Sequence, residues 1–112
     1  MPFKSDAVRL QHMLAAAREA VGYTKGRGRA DLDVDRPLIQ SLVRCVEILG
    51  EAAARTTPEL RRAHPEIQWQ NIIGMRNRLI HAYHDVNLGI LWKTATEELP
   101  DLIAALERLL PP

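Results

Sequence analysis

The eight residues Arg76-Asn77-Arg78-Leu79-Ile80-His81-Ala82-Tyr83 bring together the side-chain types that can break a phosphodiester bond. Histidine titrates near neutral pH and can pass protons. Arginine carries a permanent charge on a planar fork that matches a phosphate and steadies the charge growing on it during transfer. Cleaving RNA with such groups requires the ribose 2′-hydroxyl to lose a proton as it attacks the neighbouring phosphorus. His81 is then the acid–base group, Arg76 the phosphate clamp, and Asn77 a helper that orients a reacting group or the histidine by hydrogen bonding. DNA lacks the attacking hydroxyl and is not expected to be cut. This chemistry asks for no metal and no cofactor.

These residues belong to a longer series of landmarks. In order they are Val46-Glu47-Ile48-Leu49-Gly50-Glu51-Ala52-Ala53, then Trp69 with Ile72-Ile73-Gly74-Met75-Arg76-Asn77, then His81-Ala82-Tyr83, then Leu91-Trp92 and Leu99-Pro100. With this series the chain resembles the HepT-like family of HEPN-domain proteins. The family pattern is Arg, four to six residues, His, any residue, Tyr, and Arg76, His81 and Tyr83 fill it with a spacer of four. The resemblance implies an all-α bundle, commonly a homodimer, and a catalytic pair of Arg76 and His81 with Asn77 as helper. It also implies a toxin acting on RNA, with transfer RNA the expected class, and a minimal nucleotidyltransferase as the cognate antitoxin. In such systems the partner enzyme modifies the motif tyrosine, here Tyr83, with AMP. A bulky anion two residues from His81 would block phosphate entry by sterics and repulsion. The competing reading is a catalytically silent binding module that docks the nucleotidyltransferase and possibly nucleotide; the intact set of Arg76, Asn77, His81 and Tyr83 argues against it.

At 112 residues the chain is expected to form one domain, 1–112, that buries about 60–70% of its unfolded surface. With 26% charged and 46% apolar residues it has an ordinary globular composition. A formal charge of +1 predicts no strong general affinity for polyanions, so RNA must be held by local clusters of charge. Cys45 is the only cysteine, which rules out an intrachain disulfide and fits a reducing compartment. The N-terminal residues lack a charged start followed by an apolar run, and no apolar run of membrane-spanning length occurs. A cytoplasmic protein with no membrane partner is the expectation.

Positioning the eight residues falls to four amphipathic helices with short links, an antiparallel up-and-down bundle. The first opens at Ser5 or Asp6 as N-cap and carries a stripe of Ala7, Leu10, Leu14, Ala17 and Val21. Gly22, Gly26 and Gly28 end it, and Lys25, Arg27 and Arg29 among them make a basic loop reaching to Arg36. The second opens at Pro37 after Asp35 as cap and runs to about Thr56. It has two apolar sides, one with Ile39, Val43 and Val46 and one with Leu38, Leu42 and Leu49, more than a surface helix of a monomer needs. That excess points to a dimer interface or to a helix central to its own bundle. The third runs from about Trp69 to Tyr83 or His84. The fourth runs from Asp85 or Asn87 to Leu110, kinked at Pro100. No strand is expected.

On an ideal third helix, five residues turn about 500° and leave Arg76 and His81 roughly 140° apart. A long Arg side chain that wraps around, a helix that ends near His81, or a site shared across a two-fold axis would each resolve this. The shared site is preferred because it also uses the apolar excess of the second helix. Arg78, Lys25, Arg27 and Arg29 are candidates for positioning the RNA backbone, and are otherwise solvated charges. Glu47 and Glu51, four apart, have no His or Asp at metal-ligand spacing, so ion pairs with Arg44 or Arg55 are expected of them.

Overall fold

A computed structural model of the chain describes residues 4–82 and 85–111, with the side chains of Lys4, His81 and Ala82 outside that description. Helix α1 spans Lys4–Thr24 and α2 spans Arg36–Ala54. The loop between them holds a 3₁₀ turn over Arg29–Asp33 and turns at Gly26, whose φ of 71° is a conformation glycine adopts without strain. Short helices follow: α3 Pro58–Ala63, α4 Trp69–Ile73 and α5 Met75–Leu79. A two-stranded ribbon, β1 Ile80–Ala82 against β2 Asp85–Val86, leads to α6 Leu88–Lys93, a π-helical stretch over Thr94–Glu98, and α7 Leu99–Leu109. The architecture is the expected all-α bundle, with the ribbon as an addition.

The two long helices form for the reasons their sequences give. On α1 the stripe of Leu10, Leu14 and Ala17 is buried, with Met13, Ala16 and Ala20 beside it. Asp35 caps α2 by accepting the Leu38 N–H at 3.0 Å, and Pro37 lies in the first turn, where its missing N–H costs nothing. Helix α2 is the hub. It packs against α1 on one side and against α4, α5 and α6 on the other. Leu38, Leu42, Cys45, Val46, Leu49, Ala52 and Ala53 are all buried there. Of the other apolar side Val46 is buried, whereas Ile39 and Val43 are only half-buried, so packing within the chain accounts for part of the excess and leaves part of it open.

Asp6 does not cap α1. It lies inside the first turn, 1% exposed, and its carboxylate accepts the Thr57 N–H at 2.9 Å and the Thr57 hydroxyl at 2.7 Å. Thr57 is itself the N-cap of α3, accepting from Leu60 N–H at 3.2 Å. One carboxylate thus ties the start of α1 to the end of the α2–α3 connection. Asp6→Ala is expected to cost about 1–3 kcal/mol, since it strands two part-buried donors, and Asp6→Asn less. Urea unfolding of the variants tests this; an unchanged midpoint for the alanine variant would contradict it.

Cys45 is buried between α1 and α2. Burial pushes its thiol up to about 11, with the charge of Glu19 and a hydrogen bond to it adding to the effect. The folded value lies above the ordinary one, so the thiol's contribution to stability is whole below the ordinary thiol range and is lost as pH rises through about 11. Iodoacetamide at neutral pH should modify Cys45 slowly in the native chain and promptly in urea. Equal rates would show that the burial is wrong.

The third expected helix departs most from its sequence reading. It breaks at Gly74, which ends α4 and opens α5, and stops at Leu79. Ile80 is already extended, with φ −114° and ψ 109°, and pairs with Val86, two β-branched residues that suit a strand. The Asn87 N–H closes the base of the ribbon on the Leu79 carbonyl at 2.7 Å, and the Asn87 side chain caps α6 through the Ile90 N–H at 3.0 Å. The fourth helix keeps its expected length. Pro100 lacks the N–H that an α-helical ladder needs, and the wider π-helical stretch comes just before it.

Candidate active site

Gly50 stands where α4, which leads into the helix carrying Arg76, comes close to α2. A Cβ there would stand 3.2 Å from the Ile72 carbonyl oxygen, a tight contact, so glycine eases the close approach of the α4 backbone to α2. One turn before Gly50, on the same side of α2, is Glu47. Arg76 projects from α5 onto it, and its Nε donates to Glu47 Oε2 at 2.9 Å. The two side chains are 52% and 38% exposed, so the pair is open to a ligand from solvent.

His81 occupies a special backbone position. Ile80 pairs with Val86 and Ala82 with Asp85, two steps along β1 against one along β2. His81 is the extra residue of a β-bulge, a device that turns a strand locally and breaks its pairing. The 140° offset of an ideal helix does not describe the pair, because the chain is helical only to Leu79 and extended after it. The His81 side chain and Tyr83 lie outside the described residues, as does His84.

Asn77 is exposed on α5, next to Arg76. Arg78 is turned elsewhere: its Nη2 donates to the Asn71 carbonyl at 3.4 Å and stands 3.9 Å from Glu98. About 200° of helical turn separates it from Arg76. The basic loop is largely paired with its own carboxylates. Arg27 binds Asp35 and lies 3.6 Å from Asp31, and Arg29 lies 3.2 Å from Asp33. The Arg27 guanidinium, with the Leu38 N–H, holds the Asp35 carboxyl below its usual value, and Asp35 in turn raises Arg27. Lys25 is exposed.

An open groove of about 590 Å³ runs along α2 beside the Arg76–Glu47 pair. Arg36, Gln40, Arg44 and Glu47 line it over about 16 Å of helix, and Ile39 and Val43 form an apolar floor facing Val86 and Leu88. Of the expected acidic ion pairs, Glu51 with Arg55 is present at 2.9 Å, whereas Glu47 takes Arg76 in place of a neighbour on its own helix. Sequence reasoning missed that link. The signal available for it was the position of Glu47 three residues before Gly50, in the landmark block of α2.

Both tryptophans are accounted for by packing. Trp69 is buried and its indole N–H donates to the His64 carbonyl at 2.9 Å; Trp92 is half-buried against the core. Arg61 holds Thr56 at the end of α2 through its carbonyl and, at 3.1 Å, its hydroxyl.

Comparison with known proteins gives one consistent result. A family model described as "Ribonuclease HepT-like" matches residues 13–109. A protein of Caldanaerobacter subterraneus subsp. tengcongensis, named as a candidate RNase, is 36% identical over 101 residues, 90% of each chain. One of Thermococcus cleftensis, named as a probable ribonuclease HepT, is 39% identical over 79 residues, 70% of this chain and 72% of that one. One of Methanocaldococcus jannaschii, also named as a candidate RNase, is 26% identical over 110 residues, 98% of this chain and 95% of that one. No solved structure matches the chain significantly.

Proposed function

The chain belongs to the HepT-like ribonuclease family, and from that premise we propose that it is a metal-independent endoribonuclease whose working groups are Arg76, Asn77 and His81. The observation that carries the reading is the pairing of an exposed, anchored Arg76 with a histidine placed at a bulge just past the end of the same helix.

In this reading the terminal nitrogens of Arg76 grip the scissile phosphate in the mouth of the α2 groove. His81 accepts the proton of the ribose 2′-hydroxyl as the oxygen attacks phosphorus. The new 2′-O–P bond forms, the P–O5′ bond breaks, and the leaving 5′-oxygen takes up a proton. A 2′,3′-cyclic phosphate and a free 5′-hydroxyl result. Arg76 stabilises the charge that gathers on the phosphoryl oxygens, and Asn77 orients His81 or a reacting oxygen. Arg36 and Arg44, which share the groove with the carboxylates of Glu47 and Asp85, and Lys25 at the basic loop are the groups proposed to hold the RNA backbone.

The biological setting follows the family resemblance: a toxin acting on transfer RNA in the cytoplasm, controlled by a minimal nucleotidyltransferase that binds it, adds AMP to Tyr83, or does both. No helix among the described residues is long and apolar enough to cross a membrane. A homodimer rests on that resemblance, and a site completed across its axis is supported by the apolar side of α2 on which Ile39 and Val43 are left half-buried.

Mapping the ends of fragments made from total transfer RNA tests the route. Cyclic phosphate and 5′-hydroxyl ends are expected, with protection of a substrate carrying a 2′-deoxyribose at the mapped position. Fragments with 5′-phosphate ends, or cutting at the deoxy position, would overturn it.

A further inference from the structure

We propose that Glu47 is a positioning residue of this site: it fixes the Arg76 guanidinium side-on, so that the terminal fork is presented to the phosphate. The proposal rests on the ribonuclease reading above. The contact is to Nε, at 2.9 Å, and it is the only side-chain hydrogen bond of Arg76 among the described residues. A guanidinium held through Nε leaves its two Nη nitrogens free, and these are the atoms that bind a phosphate in the parallel two-bond geometry.

The need for such a hold comes from the local fold. Helix α5 has five residues, opens at Gly74 and gives way to extended chain at Ile80. An arginine on it, half in solvent, would otherwise sample many rotamers. Glu47 instead projects from the middle of α2, the long helix on which the rest of the bundle packs. At Gly50 the α4 backbone comes close to that same side of α2. A half-exposed ion pair does little for stability. Its effect is therefore expected in turnover rather than in the folded fraction.

The test compares the full chain with Glu47→Ala, Glu47→Gln, Arg76→Ala and the Glu47→Ala/Arg76→Ala double variant, using total transfer RNA in EDTA. Loss of the hold should lower kcat about 10- to 100-fold in Glu47→Ala, with KM changed far less. Glu47→Gln keeps an oxygen that can accept from Nε and should recover part of the loss. The double variant should be no slower than Arg76→Ala alone, because Glu47 acts only through that side chain. Thermal melting of Glu47→Ala should stay close to the parent; were that variant to misfold, the comparison of parent with Glu47→Gln would carry the test.

An equally active Glu47→Ala beside an active parent would overturn the positioning role and leave the ribonuclease reading standing. A faster Glu47→Ala would also overturn it, showing that Glu47 competes with the phosphate for Arg76. A parent that does not cleave would overturn the ribonuclease reading and the role that follows from it.

Discussion

Replacing His81 by alanine is expected to lower RNA cleavage about 10²- to 10⁴-fold, the span that a positioned proton-transfer group contributes. No other group in Arg76–Tyr83 combines ready proton exchange with a neutral-range titration. His81 is the extra residue of the bulge between Ile80 and Ala82, and a side-chain replacement there leaves the backbone pairing of the ribbon in place. Melting should therefore change little while activity falls. Initial rates of parent and variant, with circular dichroism of both, decide the matter. A His81→Ala chain that keeps a tenth or more of the parent rate would place the proton transfer elsewhere.

Arg76→Ala should cost about 10²- to 10³-fold, as loss of one preorganised donor to a developing oxyanion does. The side chain is 52% exposed and its one partner among the described residues is Glu47, so its stability contribution is at most about 1 kcal/mol. Arg76→Lys separates charge from shape. A lysine keeps the charge but neither the fork nor the Nε contact to Glu47, and it is expected to recover only a small part of the loss. If lysine restored the parent rate, a point charge would suffice and the side-on hold would have no purpose. Reduced rates for Arg78→Ala are not expected on the same scale, since Arg78 is spent on the Asn71 carbonyl and Glu98.

The long elements were legible because their signals repeat. Leu10, Leu14 and Ala17 recur at helical spacing on α1, and Asp35 before Pro37 marks the start of α2. The segment that carries the candidate residues was the hardest to read. A strand of three residues and one of two have no periodicity to detect, and Leu79-Ile80 continues an apolar helical pattern that the chain itself abandons. Pairing with Val86 decides that local choice, and Val86 lies beyond the segment. The role of Asp6 was hidden similarly. Its place near the start of a helix suggests a local cap, yet its partner Thr57 is 51 residues away. The apolar excess of α2 had two explanations by pattern alone; packing against α4, α5 and α6 accounts for part of it, while Ile39 and Val43 stay half-buried at the open groove.

At the site, residue types made Arg76, Asn77 and His81 visible as candidates, but the link between Arg76 and Glu47 spans 29 residues and depends on the close approach at Gly50. Local charge patterning favours partners three or four residues apart, as Glu51 and Arg55 are. Glu47 departs from that pattern because a second helix brings it a long-range cation. The basic loop errs in the other direction. Arg27 and Arg29 form a visible cluster in sequence, while Asp31, Asp33 and Asp35, which follow them, take up much of their charge in the fold.

The account stands most directly on cleavage of total transfer RNA in excess EDTA by the purified chain, with Tyr83 shown by mass to be unmodified, beside His81→Ala and Arg76→Ala. Cleavage by the parent, lost in both folded variants, is the predicted result. A folded, unmodified parent that leaves the RNA intact would contradict it and point instead to a helical module that binds a nucleotidyltransferase without cutting RNA.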